Sequence, residues 1–540
     1  MASDSHPHRR LALTLAVCAS IIVLGALSYL YFTYLSKPVK ADLVAVINIE
    51  GPILSSQDAK RYLEAISHAM SNDSIKAVVV KIDSPGGAAH LVEQVYLDLM
   101  ELRDVKPVIA LTDMALSGGY YIAVASDYIY AEPASFIGGV GVIGIVPPVL
   151  IPSERCLESG AYKATGFSEL RFPFSLMRAL DNFLQAIKRN RAERLKINLT
   201  ELKRGEIYLG CEAVELGLVD EIGSLQRAVM KAAEEAHLTR YAVISLNTAP
   251  QASPEAQGDR EAVDWRSLSA GLLNQYQPPP SLWYIYLPPR AAFDEHPILY
   301  STAVELGSLK GGGGPIIVVD VSHENRISLW ELDLLIAELV KRNATVIFAS
   351  SWEELKGKLN EASGLIIASP TKAYTAEECR AVEDFVSRGG ALLLFFDPAY
   401  EYVNVQELTR PINTIASRFG LYYAKGYLYN DKEYYGFYRN IYITSFANTT
   451  ITSNLTSLVF FTATYIHSVN KGAAWTSNDT YSSLANKMGS YAVIAVVEDG
   501  EGIVVALGDQ TFLKEPYCYV EDNYKLLLNI ASLMLKAKNP

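Results

Sequence analysis

Residues 11–36 carry no charge, and an apolar stretch of about 20 residues spans the hydrocarbon core of a bilayer as a helix. The run predicts one transmembrane helix. Arg9 and Arg10 precede it, and Tyr29, Tyr31, Phe32 and Tyr34 crowd its far end. That asymmetry sets the basic N-terminus in the cytoplasm and an aromatic belt at the opposite interface. Lys37 and Lys40 place positive charge on the other flank as well. A cleaved signal peptide fits less well, because the run is too long and no A-x-A site follows it. Val17, before Cys18, is not the small residue that lipoprotein cleavage needs.

Past the run the hydrophobic period changes. Residues 43–49, 77–83 and 108–112 read as strands, and 89–103 carries Leu91, Val92, Val95, Leu97, Leu99 and Met100 in a helical pattern. This alternation predicts an α/β domain. Residues 249–314 collect Pro250, Pro254, Pro278, Pro279, Pro280, Pro288, Pro289 and Pro297 and end in four glycines, the composition of a connector. Buried-type strands recur at 316–321, 345–350, 364–369, 391–396, 491–498 and 502–509, with a helix over 375–387, which predicts a second, doubly wound α/β domain. The expected division is a cytoplasmic N-terminus (1–10), a transmembrane helix (11–36), a first α/β domain (37–245), a Pro/Gly-rich linker (246–314) and a second α/β domain (315–540).

A chain of 540 residues exceeds one hydrophobic core, and 50% hydrophobic with 20% charged residues excludes a disordered chain. Its 47 Lys and Arg against 59 Asp and Glu give a net charge of −12, which repels phosphate backbones, so nucleic acid is not an expected partner. The cysteines at 18, 156, 211, 379 and 518 form neither a C-x-x-C motif nor a disulfide framework. N-x-S/T sequons at Asn72, Asn198, Asn343, Asn448, Asn454 and Asn478 suit an exterior chain carrying glycans, although Asn, Ser and Thr are common enough here to produce chance matches.

Candidate chemistry concentrates in the first α/β domain. Asp83-Ser84-Pro85-Gly86-Gly87 follows a strand and opens a helix, so its glycines can turn N–H groups toward a developing negative charge. Ser117 stands where the strand 108–112 runs on toward Gly118, Gly119 and a second helix. A turn of that kind exposes a nucleophile, with the Gly118 amide and the helix dipole beside its oxyanion. A serine needs a base. His68, His90 and His237 are the only histidines between the apolar run and the connector, which excludes a histidine base soon after the serine. Lysine remains, and 158–167 holds Lys163 among small and aromatic neighbours, where desolvation lowers an amine pKa. Ser84 reads as a turn residue and His90 as a helix-surface histidine. Arg189, Arg191, Arg194 and Lys196 read as a solvated helix face.

Five ordered segments, 81–87 (Lys-Ile-Asp-Ser-Pro-Gly-Gly), 117–121 (Ser-Gly-Gly-Tyr-Tyr), 137–142 (Ile-Gly-Gly-Val-Gly-Val), 159–163 (Ser-Gly-Ala-Tyr-Lys) and 213–220 (Ala-Val-Glu-Leu-Gly-Leu-Val-Asp), carry a resemblance. Over about residues 43–235 the chain resembles the signal peptide peptidase A family (serine peptidase family S49), membrane-anchored serine peptidases of the Clp/crotonase fold. The resemblance implies Ser117 as nucleophile, Lys163 as general base, and the amides of Gly86 or Gly87 with Gly118 as oxyanion hole, with no cofactor. It also implies a homo-oligomeric ring in which serine and lysine can come from neighbouring subunits. Family members commonly read Gly-Ser-Ile-Gly-Val where this chain has Gly-Gly-Val-Gly-Val at 138–142. The missing hydroxyl is one that could bond the lysine, a role open to Thr165 or Ser168.

The segments 320–325, 368–371, 386–393 and 507–510 are similar to the class I glutamine amidotransferase-like fold in its non-amidotransferase branch. No cysteine follows the strand 392–396, and Cys379 falls within the helix opened by the Thr375/Glu378 capping box, so a non-catalytic binding or scaffolding role is expected. Asp320, His323, Asp397 and Asp509 sit at strand ends, as ligand-gathering residues or as caps. The reading as a whole is a single-pass, membrane-anchored serine endopeptidase with an extracytoplasmic Ser-Lys dyad that cleaves hydrophobic peptides such as remnant signal peptides. The alternatives are a stomatin-associated peptidase of the same clan and a non-catalytic membrane assembly platform.

Overall fold

A computed structural model of the chain describes residues 6–35, 42–147, 159–247, 263–287, 308–309, 313–327, 329–399 and 405–536. The charge-free run forms helix α1 (His6–Leu35). Its segment Leu11–Tyr31 has a mean hydropathy of 2.4, none of it is buried, and by length and composition it suffices to cross a membrane. Lys37 and Lys40 lie outside the described residues.

Strand β1 (Asp42–Glu50), helix α2 (Ser56–Ser71), β2 (Ile75–Ser84), the short β3 (Gly86–Ala88), α3 (Ala89–Arg103), β4 (Val108–Leu116), α4 (Gly118–Ala123), β5 (Tyr128–Gly138) and β6 (Ile143–Ile145) follow in chain order. After them come α5 (Phe172–Arg191), α6 (Leu199–Leu202), β7 (Ile207–Leu209), α7 (Gly210–Glu215), β8 (Glu221–Ile222), α8 (Leu225–Glu235) and β9 (Tyr241–Ser245). The sheet has the order β7-β5-β4-β2-β1-β9, with β8 beside β5. The strands β9, β1, β2, β4 and β5 are parallel, and only β7 runs against them. Successive residues of a strand face opposite sides. Ala45, Ile47, Ile49, Val78, Val80 and Ile82 therefore enter the core shared with α2, α3 and α5, while Val44, Val46, Ala77, Val79, Ile109 and Leu111 meet α8. Burial on both faces is why these strands read as continuous apolar runs.

The basic run near the end of α5 departs from the expected solvated face. Arg191 is 1% exposed; it donates to both carboxylate oxygens of Asp220, at 2.8 and 3.0 Å, and twice to the Gly217 carbonyl, at 3.0 and 2.9 Å. Arg194 reaches the same carboxylate at 3.2 Å from an exposed position. The end of α5 packs over the turn that carries Gly217 and Asp220, so the guanidinium has no route to water and takes its partners from that turn.

The connector is also not structureless throughout. Within it lie α9 (Ala270–Tyr276) and β10 (Ser281–Ile285), and β10 is the middle strand of a three-stranded sheet, β3-β10-β6. Trp283 and Tyr284 are fully buried. Residues 248–262 and 288–307 lie outside the described residues.

The second large sheet is mixed. Strands Thr345–Ala349, Ile316–Asp320, Ala362–Ala368, Ala391–Phe395 and Gly502–Leu507 run parallel, and Ala492–Asp499, Gly472–Thr476, Asn440–Phe446 and Leu458–Phe461 extend them antiparallel. Its two faces bury separate apolar clusters. The Thr375/Glu378 capping box forms, and Cys379 packs inside that helix with its thiol pushed up by burial. The strand-end residues are spent on internal bonds. Asp320 holds Ser322, His323 and Tyr374, Asp397 accepts from Gln510 and Thr511, and Asp509 accepts from Phe461 and Thr511. The two parts meet where Arg204 pairs with Asp431 at 3.2 Å and Phe174 packs edge-on against Tyr435.

Removing the Asp220 carboxylate leaves the Arg191 charge buried without its partner. We expect Asp220→Ala to cost about 3–5 kcal/mol, read from the denaturant midpoint. A loss below about 1 kcal/mol, the range of an exposed pair, would contradict the buried pairing.

Candidate active site

Strand β4 ends at Leu116 and α4 begins at Gly118, which leaves Ser117 to turn the chain in a single residue. It does so at φ 51°, ψ −114°, a region that costs a non-glycine residue on the order of 1–3 kcal/mol. The surroundings hold it there. The Ser117 N–H donates to the Gly138 carbonyl at 2.8 Å, the Ser117 carbonyl accepts from Tyr121 N at 2.9 Å, and Leu116 stands in register with Gly138. The side chain donates to the Gly141 carbonyl at 3.4 Å, a long bond for a hydroxyl, and the residue is only 2% exposed. The two glycines after it are sterically required. A Cβ on Gly118 would stand 2.6 Å from the Tyr284 carbonyl oxygen, and one on Gly119 2.4 Å from the Ser84 carbonyl oxygen.

Beside this turn lies the glycine strand β3. Ser84 acts as a structural turn residue, donating to the Gly51 carbonyl at 2.7 Å and accepting from the Gly86 N–H at 3.1 Å. The Gly86 amide is thus committed. Of the three candidate oxyanion donors, Gly87 and Gly118 remain, and the Tyr284 carbonyl lies against them. In the ladder with β10, Tyr286 N donates to Pro85 O at 2.9 Å, and Tyr284 stands opposite Gly87. Bonded pairs alternate along antiparallel strands, so Tyr284 and Gly87 form the next one and the Gly87 amide faces the Tyr284 carbonyl.

Lys163 sits on an exposed turn, its own N–H donating to the Gly160 carbonyl at 2.9 Å. Its amine makes no hydrogen bond or ion pair with the described residues, and none joins it to Ser117. Among the described residues Pro280 packs against Gly166 of this turn, but Lys163 itself stays exposed, so the desolvation expected around it is not seen among them. Thr165 donates to Phe167 O at 3.3 Å and Ser168 accepts from Arg171 N at 3.2 Å, so neither hydroxyl bonds the lysine. Gly139 adopts φ 58°, a conformation that disfavours the serine common in the family at this point. His90 is exposed on the first turn of α3.

The residues that the connector reading passed over are the aromatic ones. The Tyr284 ring stacks on Tyr121 at 5.1 Å and meets Phe183 at 5.4 Å, and its hydroxyl lies 2.9 Å from both Glu93 Oε1 and the Ala179 carbonyl. Burial and the Glu93 charge push the Tyr284 hydroxyl well above its ordinary range. The signal was the apolar stretch 281–287, bracketed by prolines. On the other side of the serine, a cavity of about 390 Å³ opens beside Gly141, walled by Val140, Leu176 and Met177 and by Tyr427, Tyr429 and Asp431 of the C-terminal part.

Comparison with known proteins agrees with the first part of the chain. The sequence pattern of peptidase family S49 matches residues 100–150 and 175–239. Protease 4 of Haemophilus influenzae is 30% identical over 210 residues, 35% of this chain and 34% of that protein. The chloroplastic serine protease SPPA of Arabidopsis thaliana is 28% identical over 221 residues, 37% of this chain and 32% of that protein. The chain thus spans about a third of the length of these relatives. A candidate protease of Synechocystis sp. is 31% identical over 210 residues, 36% of this chain and 75% of that protein.

The glycine contacts make a stability prediction around the serine. Gly119→Ala drives a methyl into the Ser84 carbonyl and is expected to cost about 1–3 kcal/mol. Gly141→Ala meets nothing within 4 Å and is expected to stay within about 0.5 kcal/mol of the native chain. Thermal melts of the two variants compare them, and equal losses would contradict the packing at Gly119.

Proposed function

The chain belongs to peptidase family S49, and on that footing we propose that it is a membrane-anchored serine endopeptidase with Ser117 as nucleophile and Lys163 as general base. The observation that supports this reading is the strained turn at Ser117, followed by Gly118 packed against Gly86 of the glycine strand. In the reaction, Ser117 Oγ attacks the scissile carbonyl while Lys163 Nζ takes its proton. The Gly87 and Gly118 N–H groups bind the oxyanion, and the lysine returns the proton to the departing amine. Water then attacks the acyl-enzyme along the reverse proton path.

A lysine must be desolvated to act as a base near neutral pH, and Lys163 is exposed beside Tyr162, itself 57% exposed. We assign the missing cover to a neighbouring subunit, so the dyad is completed in a homo-oligomer. The anchor is α1, and residues 36–41 can extend at most about 20 Å, which keeps the catalytic sheet near the bilayer. With Arg9 and Arg10 on the cytoplasmic side, the cleft lies outside, and hydrophobic peptides such as remnant signal peptides are the substrate class. The C-terminal part acts as a non-catalytic scaffold; its buried aspartates serve as caps and its Cys379 is packed.

The test is cleavage of a peptide library by the full chain in detergent, read by mass spectrometry beside a particle-mass measurement. Ser117→Ala is expected to lower cleavage by at least about 10³-fold and Lys163→Ala by about 10²–10⁴-fold. If serine and lysine come from adjacent subunits, mixing the two inactive variants and reassembling them restores about a quarter of the native activity. Undiminished cleavage in Ser117→Ala would end the assignment.

A further inference from the structure

The strands β3 and β6 are each three residues long, and β10 joins them into a sheet. Trp283, Tyr284 and Ile285 pair with Ala88, Gly87 and Gly86 on one edge, and Ser281, Leu282 and Trp283 pair with Ile145, Gly144 and Ile143 on the other. Without β10 the facing edges of β3 and β6 would border a groove whose unpaired N–H and C=O groups suit one extended chain between them, the general means by which a sheet edge captures a peptide. The strand that fills this groove comes from the connector, with Pro278–Pro280 before it and Pro288 and Pro289 after it, and it is not one of the strands of the catalytic sheet.

The way β10 sits in the groove is specific to the chemistry of the site. Its Tyr284 carbonyl oxygen lies so near both glycine turns that a Cβ would stand 2.0 Å from it on Gly86 and 2.6 Å on Gly118. This is the place that a scissile carbonyl must take to be attacked by Ser117 and held by the Gly87 and Gly118 amides. The side chain of the same residue fills a pocket walled by Tyr121 and Phe183, with Glu93 and the Ala179 carbonyl at its floor to receive the hydroxyl. The nucleophile itself is 2% exposed with the strand in place.

We infer that residues 281–287 are a tethered occupant of the peptide cleft, and that substrates enter by displacing them as extended chains with an aromatic residue, tyrosine above all, in the pocket of Tyr121, Phe183 and Glu93. This inference rests on the peptidase reading above and names its substrate class. A site that offers buried acceptors to a hydroxyl discriminates against a residue without one, so tyrosine is preferred to phenylalanine at the position whose carbonyl faces Gly118. The free chain is therefore self-blocked, and its activity depends on how often the strand leaves.

Two measurements on the full chain in detergent test this. The first is the rate at which a fluorophosphonate labels Ser117 in the native chain, in Tyr284→Ala and in Tyr284→Phe, with circular dichroism and particle mass to confirm the fold. Tyr284→Ala is expected to label at least tenfold faster than the native chain, and Tyr284→Phe, which keeps the ring but leaves Glu93 and the Ala179 carbonyl without their hydroxyl, to label at a rate between the two. Tyr284→Leu replaces the alanine variant should that one fail to fold. The second is binding of the synthetic peptide Ser-Leu-Trp-Tyr-Ile-Tyr-Leu to the double variant Ser117→Ala/Tyr284→Ala, expected to be at least tenfold tighter than that of the same peptide with alanine in place of its first tyrosine. Equal labelling of native and Tyr284→Ala chains would overturn the inference and leave the peptidase reading standing. Peptide binding to the double variant, with no labelling or cleavage in any chain, would uphold the occupant and remove the serine mechanism.

Discussion

The site depends on one residue held in a backbone conformation that it would not adopt alone. Ser117 at φ 51° is stable only because the Gly138 carbonyl, the Tyr121 amide and the parallel register of β4 on β5 leave the chain no other path. The strain, on the order of 1–3 kcal/mol, is small against the burial of the sheet that enforces it. Its return is positional: the hydroxyl leaves the turn toward the Gly141 carbonyl and cannot relax back into β4. Gly118 and Gly119 follow because any side chain there would collide with the carbonyl of Tyr284 or Ser84.

The same crowding explains why β10 fits. The Tyr284 carbonyl approaches the Gly86 and Gly118 backbones to a distance at which no Cβ could stand, so a glycine-lined wall and an extended peptide are complementary. One strand thus joins the catalytic layer to the chain that leads toward the C-terminal sheet. The C-terminal part also touches the peptidase part through Arg204 and Asp431 and walls the cavity beside Gly141. Its aspartates at strand ends, which chemistry alone allowed as ligands, are consumed by Tyr374, Phe461, Gln510 and Thr511.

Much of this was legible in the chain because its strands are buried on both faces. Val78 to Ile82 and Ile109 to Leu111 read as strands for the reason that they fold as strands, alternate residues entering different cores. The serine turn was legible too, since Ser-Gly-Gly after an apolar run is a local signal. What escaped notice was non-local. Arg191 carries the same charge as its solvated neighbours, and only the turn bearing Gly217 and Asp220, distant in sequence, makes it a buried residue. β10 was hidden by the prolines around it, which mark an extended chain equally well in a linker and in a cleft. In the antiparallel extension of the second sheet, Asn440–Phe446 mixes polar with apolar residues and Gly472–Thr476 is short, so neither offers a long apolar run. The environment of Lys163 was the least legible of all, because burial of an amine is a property of what packs over it, and among the described residues Lys163 is exposed.

Hydrogen exchange across the full chain, before and after fluorophosphonate modification of Ser117, tests the account most directly. With Gly87 and Gly118 as the proposed oxyanion donors, an adduct on the serine would place its oxygen among their amides, where the Tyr284 carbonyl now lies. The account predicts an adduct at Ser117 together with loss of protection in 281–287, while β1, β2 and β4 exchange as slowly as before. A chain modified at Ser117 whose residues 281–287 remain as protected as in the native state would contradict it.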